Sequence, residues 1–480
     1  MTSSQHAATY TTGSVFGHLS NLALTSAIGM FAIMIVDLVD MYFISILGQP
    51  ALAAAVGFAG LGLFFGASIC IGISVATSTL VAQSLGENDE LRARRYTIHG
   101  FVYSLIWTLP VTALTLVLAP QIMSLIGAEG ETLQLATRYF RIVGASLPVL
   151  GISFVAISIL RSVGAAKMSM WATIAGGLVN AVLDPLFIFG FGLGLDGAAI
   201  ASVISRFTVM GMALYSVIKI HNLITQPHWS EFREDCKSLN ILALPSILTN
   251  LSAPVSSAYA TAQMAQFGTD AVAAAAVVGR LTPVAFCGLY GLSGAVGPVA
   301  SQNVGAQQFQ RVRQTLLASG KFVLLYVIPV TLIMFFSKSW LVEIFNLQGD
   351  AADLLHFYCT FIVISYILFG LQLSANPLFT ALRHPGVATV SNMVRDIVLA
   401  IPLIFIFSSL FEAKGVLAGQ ALANAIAGIL WFSVALWMSK RAEKKGSVNF
   451  NLGFVTRIRW LRLKMHHHNH VIPGVQQRGH

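Results

Sequence analysis

Apolar runs long enough to cross a lipid bilayer recur along this chain from residue 18 to residue 438. A spanning helix needs about 20 consecutive, mainly apolar residues. Twelve runs meet that length, with cores at 18–46, 52–83, 96–119, 132–160, 168–190, 197–218, 240–266, 271–301, 316–336, 353–381, 387–409 and 415–438. Several are longer than needed, so tilt or helix ends outside the hydrocarbon are expected. Only 10% of the residues are charged, where a soluble domain carries about 25%. The chain is therefore expected to be an all-α membrane protein with twelve transmembrane helices. The first run begins late and has no small-residue cleavage pattern near the start, so no cleavable signal peptide is expected.

The formal net charge of +9 suggests a nucleic-acid partner until the cations are placed, and their placement excludes one. With the N-terminus in the cytoplasm, the inside loops hold Arg92, Arg94 and Arg95; Arg161 and Lys167; Lys219, Arg233 and Lys237; Arg311 and Arg313; and Arg383. The tail adds Lys440, Arg441, Lys444 and Lys445, whereas the outside loops hold only Lys338 and Lys414. This asymmetry follows the positive-inside rule and puts both termini in the cytoplasm of a multi-pass inner-membrane protein.

The two halves repeat. SLGENDELRARR after the second run resembles NVGAQQFQRVRQ after the eighth, and IMSLIGAEGE after the third resembles LVEIFNLQGD after the ninth. The offset stays near 220 residues, matching Gly86 to Gly305 and Gly127 to Asn346. An offset of six helices preserves orientation, so the halves form two parallel six-helix lobes. The expected organisation is an N-terminal cytoplasmic segment (1–13), an N-lobe (14–219), a cytoplasmic linker (220–239), a C-lobe (240–440) and a basic, disordered tail (441–480). The histidines of the tail could hold metal weakly, but disorder is the simpler reading.

Of 19 acidic residues, only Asp37, Asp40, Asp184 and Asp396 fall well inside the runs. A charge at the bilayer centre costs at least about 2.5–3.5 kcal/mol. A carboxylate kept there lines a cavity, moves an ion, or is polar glue to a neighbouring helix. Asn180 and Asp184 are four residues apart and share a helix face. Pro185 follows, and a proline removes one helix hydrogen bond. Asp37 and Asp40 are three apart in the first run; for Asp37 the spacing allows either a cavity edge or an interfacial end. Two carboxylates close together in a low dielectric cannot both stay ionised cheaply, so such a pair can load and unload a proton. With Asn180 and a hydroxyl such as Ser202, the same oxygens suit a small cation. The repeat sets Ser257 and Ala260 opposite Asp37 and Asp40, so the acids are not part of the shared scaffold.

In the second lobe Arg280, Arg395 and Asp396 lie in or near spans. Arg395 beside Asp396 reads as a structural ion pair or as a gating or substrate group. Arg138 and Tyr139 fall early in the fourth run, where interfacial anchoring is the plain reading. Cys70, Cys236, Cys287 and Cys359 are scattered and read as packing residues. No phosphate loop, HExxH or GxSxG motif is present, so no enzyme chemistry and no cofactor are expected. Without an ATP-binding domain, pumping would draw on an ion gradient.

DLVDMYFISILGQPALAA in the first run, AQSLGENDELRARR, ILRSVG and NAVLDPLFIFGFGLGLDGAAIAS together resemble multidrug and toxic compound extrusion (MATE) transporters over roughly residues 14–440. The DinF-like branch is the closer match, because the further second-lobe acids of NorM-like members are missing. The resemblance implies a V-shaped pair of lobes around a central cavity, with substrate export exchanged for inward Na⁺ or H⁺. It carries the coupling-ion role to Asp40, Asn180, Asp184, Tyr139 and Ser202, which would also hold any Na⁺. The family often has a proline midway in helix 1. Here that place reads LALTS with Thr25, while the second lobe keeps LALPS with Pro245.

The leading expectation is a secondary active exporter of organic, cationic or amphipathic compounds, by antiport with H⁺ or Na⁺. Its partners would be the lipid bilayer, small organic substrates and the coupling cation, and it would act as a monomer. A lipid or lipid-linked saccharide flippase is the second reading; it would call for a more cationic cavity than Arg280, Arg395, Arg206 and Arg141 supply. A non-transporting scaffold is the third, although a scaffold gains nothing from buried acids.

Overall fold

The computed structural model describes residues 8–47, 49–226 and 229–448. Among them all regular structure is helical. The first lobe comprises α1 (Val15–Ile46), α2 (Pro50–Gly86), α3 (Glu90–Ile126), α4 (Gly130–Gly144), α5 (Leu147–Ser162), α6 (Ala166–Pro185) and α7 (Leu195–Tyr215). The second comprises α8 (Trp229–Ala265), α9 (Thr269–Ala285), α10 (Cys287–Gly305), α11 (Phe309–Ile344), α12 (Gly349–Phe357), α13 (Tyr366–Ala381), α14 (Pro385–Met393) and α15 (Ala400–Lys445).

Fifteen helices make twelve crossings because several crossings are broken. α4 and α5 form one span bent by 48°, and α9 and α10 one bent by 46°. α12 and α13 join through a π turn at Tyr358–Ile362, within one apolar stretch. α15 is 46 residues long, about 69 Å at 1.5 Å per residue and too long for a core of about 30 Å. Its backbone leaves the helical region at Phe411 and Glu412, which separates the eleventh crossing from the twelfth. Glu412 adopts φ 53°, ψ −136°, nearly the values of its repeat partner Gly194, φ 53°, ψ −128°. That region suits glycine and strains a side-chain residue.

The repeat holds at the level of single dihedrals. Positive φ recurs at Asn88 and Gln307, Gly127 and Asn346, Gly130 and Gly349, and Gly164 and Arg383. Each pair is separated by 219 positions, so both lobes turn their corners alike.

Three boundaries differ from the sequence expectation. The segment 220–239 is not all linker: α8 begins at Trp229, because Asp235 and Glu231 bond to Arg95 of α3 and Leu239 is buried. The last helix continues to Lys445, past the expected end at 440. Residues 8–13 pack into the body, with Tyr10 only 3% exposed. Most of the 441–480 tail, including its histidines, lies outside the described residues.

The lobes meet through α1 on α10, α2 on α8 and α2 on α10. Contact is closest where α2 and α10 end: a Cβ on Gly86 would overlap the Gln302 carbonyl oxygen, and one on Gly305 would overlap that of Gln83. At the other end of these two crossings, the repeat partners Gly60 and Gly279 face open space. The two lobes thus form a V, closed at the face carrying Gly86 and Gly305 and splayed at the opposite face.

Candidate functional site

The acids flagged in the first lobe converge. α1 and α6 pack side by side, and the Asn180 amide nitrogen donates to both Asp40 carboxylate oxygens at 3.0 Å and to Asp184 Oδ2 at 3.0 Å. Asp184 is fully buried and Asn180 only 4% exposed. Asp184 Oδ1 is buried with no hydrogen-bond partner. An ionised carboxylate left partly unsatisfied in a low dielectric is costly, so this oxygen is where a proton or small cation would gain most. One residue after Asp184 the α-helix gives way to a π turn, Leu186–Gly190, following the hydrogen bond that Pro185 cannot donate.

Tyr139 and Ser202 lie against this pair. Ser202, Asp40 and Asp184 all lie near enough to act on the Tyr139 hydroxyl. Arg206 anchors the wall behind them by donating to the Val143 carbonyl at 3.1 Å and to Ser146 Oγ at 2.8 Å, groups at the α4–α5 bend. Asp37 does not join the Asn180 network; it is exposed on α1 and feels Asp40 only through space. Arg138 pairs with Asp196, which ties the middle of α4 to the start of α7.

The charged residues of the second lobe behave differently. Arg395 and Asp396 form a buried pair, with Nε donating to Oδ1 at 2.7 Å and Nη2 to Oδ2 at 3.0 Å. Ser252 donates to Asp396 at 2.7 Å, and Arg395 lies over the Phe369 ring. Arg280 is exposed on α9, and among the described residues no ion pair includes it.

A cavity of about 430 Å³ lies between the lobes, in the size range of small-molecule sites. α1 and α6 line it with Met30, Ile33 and Met170, and the second lobe with Asn250, Tyr290 and Asn376. Asp40 is seven residues beyond Ile33 on α1, about 10 Å along the helix. The acids therefore adjoin the cavity without lining it, and the two share helices.

Sequence reasoning missed three features. Arg161, read as a loop cation, lines the cavity at its closed end. Gln83 and Gln302 reach across the lobe boundary: Gln83 donates to the Ala381 carbonyl at 2.9 Å and Gln302 to that of Ser162 at 2.6 Å. His99, fully buried, places Nδ1 2.7 Å from Asp235 Oδ2, which also accepts from Arg95. The match of SLGEN to NVGAQ marks the glutamines' neighbourhood; the polar surroundings of Arg161 and His99 hide their depth.

Comparison with known proteins agrees with this geometry. A family model described as MatE matches residues 26–186 and 245–406. The FAD transporter of Shewanella oneidensis is 29% identical, over 87% of this chain and 93% of its own length. The multidrug export protein MepA of Staphylococcus aureus is 24% identical, over 86% and 92%. A crystal structure of MATE in complex with MaD3S superposes with a TM-score of 0.86 at 23% identity, covering 92% of this chain and all of that one. An outward-facing multidrug resistance transporter of the MOP superfamily superposes at 0.85 with 24% identity, over 92% and 100%.

Proposed function

The chain belongs to the MatE family, and we propose that it exports organic compounds across the inner membrane in exchange for H⁺ or Na⁺. It is a multi-pass integral membrane transporter, not an enzyme, and its relatives include multidrug exporters. Both termini lie in the cytoplasm, so the closed end of the V is cytoplasmic and the splayed end faces outward. The cation loads between Asp40 and Asp184, with Asn180 fixing their geometry and Tyr139 and Ser202 closing the site. Occupation of that site favours one lobe arrangement by differential affinity, which lets a gradient drive the cycle. The protein works as a monomer in the bilayer.

The observation that carries this reading is the amide of Asn180 held between two membrane-embedded carboxylates, one of which keeps an unpartnered buried oxygen. The test is efflux of fluorescent organic compounds of both charges from cells stripped of their own pumps. The native chain is compared with Asp40→Asn and Asp184→Asn at matched expression, with and without Na⁺ or an uncoupler. Export by the native chain alone supports the reading, and the condition that abolishes it names the ion. If both variants export as well as the native chain, coupling does not run through these acids.

A further inference from the structure

Among the described residues that line the interlobe cavity there is a single charged side chain, and it is a cation. Arg161 stands at the closed end, and no described aspartate or glutamate shares the lining with it. Its Nε is buried without a hydrogen-bond partner, and none of the ion pairs among the described residues includes it. A guanidinium held within a membrane protein is normally satisfied by a carboxylate or by backbone carbonyls. The buried Arg395 and the half-buried Arg206 obey that rule: Arg395 has Asp396, and Arg206 has the Val143 carbonyl and Ser146. Arg161 is the exception, and its free donors front the cavity.

The opposite wall is shaped to match. Gly294 of α10 faces the guanidinium; a Cβ there would lie 3.0 Å from Arg161 Nη1. Tyr290 and Ser293, on the same face of α10, also line the cavity. Several first-lobe hydroxyls of the lining are engaged elsewhere: Ser74 donates to the Ile71 carbonyl, Thr79 to that of Val75 and Ser158 to that of Ser74. Met30, Ile33, Phe154 and Met170 supply apolar lining in the same cavity.

We propose that this cavity binds an amphipathic organic anion, its phosphate, carboxylate or sulfonate group on Arg161 and its apolar body against Met30, Ile33 and Phe154. A guanidinium presents its donors in a planar fork that fits such oxyanions in a bidentate way. The acids that attract the coupling cation stand outside the lining, so they put no negative charge against a bound anion. The proposal rests on the export reading for its biological role, and its binding site can be tested apart from transport.

The test measures binding of carboxyfluorescein and of ethidium to the purified full chain by fluorescence anisotropy, together with efflux of both dyes from cells. The native chain should bind carboxyfluorescein. Arg161→Gln should weaken that binding roughly 10- to 100-fold, the effect of losing a charged hydrogen-bond donor, while ethidium binding stays within about twofold. Arg161→Lys should recover part of the loss. Asn376→Asp, which adds a negative charge to the facing wall at nearly constant shape, should lower carboxyfluorescein binding as well, and it keeps the test open should Arg161→Gln fail to fold. Carboxyfluorescein binding unchanged by Arg161→Gln, or equal loss of both dyes, would overturn the anion site. A native chain that binds carboxyfluorescein through Arg161 but exports neither dye keeps the site and removes the export reading. One that exports ethidium with no Arg161-dependent anion binding does the reverse.

Discussion

Gln83 and Gln302, 219 positions apart, make the same two-ended contact from opposite lobes. Each donates its side-chain amide to a helix-end carbonyl of the other lobe, Ala381 for Gln83 and Ser162 for Gln302. Each also accepts at its Oε1: Gln83 from Arg383 at 3.0 and 2.9 Å, and Gln302 from the Tyr10 backbone N–H at 2.8 Å. Tyr10 extends the second contact by donating its phenol to the Arg161 carbonyl at 2.7 Å. Burial pushes that phenol well above its ordinary range, so it remains a donor at any physiological pH. The closed face is thus latched twice, by one device repeated.

Removing either latch should loosen that face. Gln83→Ala and Gln302→Ala each strip a buried carbonyl of its donor, at about 1–3 kcal/mol. Labelling of a cysteine placed at Ser162, from the side of the closed face, should speed up roughly tenfold or more in each variant. Unchanged labelling in the double variant would show that the backbone packing at Gly86 and Gly305 holds the face alone.

That packing carries its own prediction. A methyl on Gly86 or Gly305 meets a backbone carbonyl rather than a yielding side chain, so the lobes themselves must separate. Gly86→Ala and Gly305→Ala should each reduce efflux to background while the chain still reaches the membrane. Normal efflux in either would mean that closure at this point is not required for the cycle.

Much of this was legible in the chain. Length and apolarity gave the crossings, and the matching of Gly86 to Gly305 and Gly127 to Asn346 gave the pseudo-symmetry that the dihedrals confirm. Asp40, Asn180 and Asp184 stood out because a carboxylate in an apolar run has few bland explanations. Side-chain direction was not legible: Asp37 is only three residues from Asp40, and a helix rotation sends it to the exposed side. Arg161 was hidden for a related reason. At the end of a run a cation looks like a loop residue, and only the bend and packing of α5 against α10 bring it to the cavity. The start of α8 was missed because EFREDCK is polar in composition, yet Glu231 and Asp235 are satisfied by Arg95 and His99 of α3.

The Arg395–Asp396 pair is expected to matter for stability rather than for coupling. Asp396→Ala leaves a buried guanidinium without its carboxylate, and breaking such a pair costs about 3–5 kcal/mol. The yield of folded protein and the melting temperature in detergent should both fall. The double change Arg395→Met with Asp396→Leu should recover most of the loss, because it removes both charges from the interior. If the double variant is as unstable as the single one, Ser252 and Gln372, whose side-chain carbonyl accepts from Arg395 at 3.5 Å, depend on the pair for more than charge balance.

Asn180 tests whether ion site and cargo cavity are separate, as their geometry implies. It is the one group that touches both carboxylates, and it is absent from the cavity lining. Asn180→Leu keeps the approximate volume and removes the amide, so Asp40 and Asp184 lose the donor that holds them together. Gradient-driven export should fall to background. Carboxyfluorescein affinity should stay within about twofold, since the nearest lining residue on α6 is Thr173, seven residues and about 10 Å along the helix. Asn180→Asp should also stop coupling, by a different route: three carboxylates at one point repel, and at least one must hold a proton permanently. Loss of cargo affinity together with coupling in Asn180→Leu would mean that the two sites form one continuous network through α1 and α6. Intact affinity with dead export would place coupling in the movement of those helices rather than in any contact between ion and cargo.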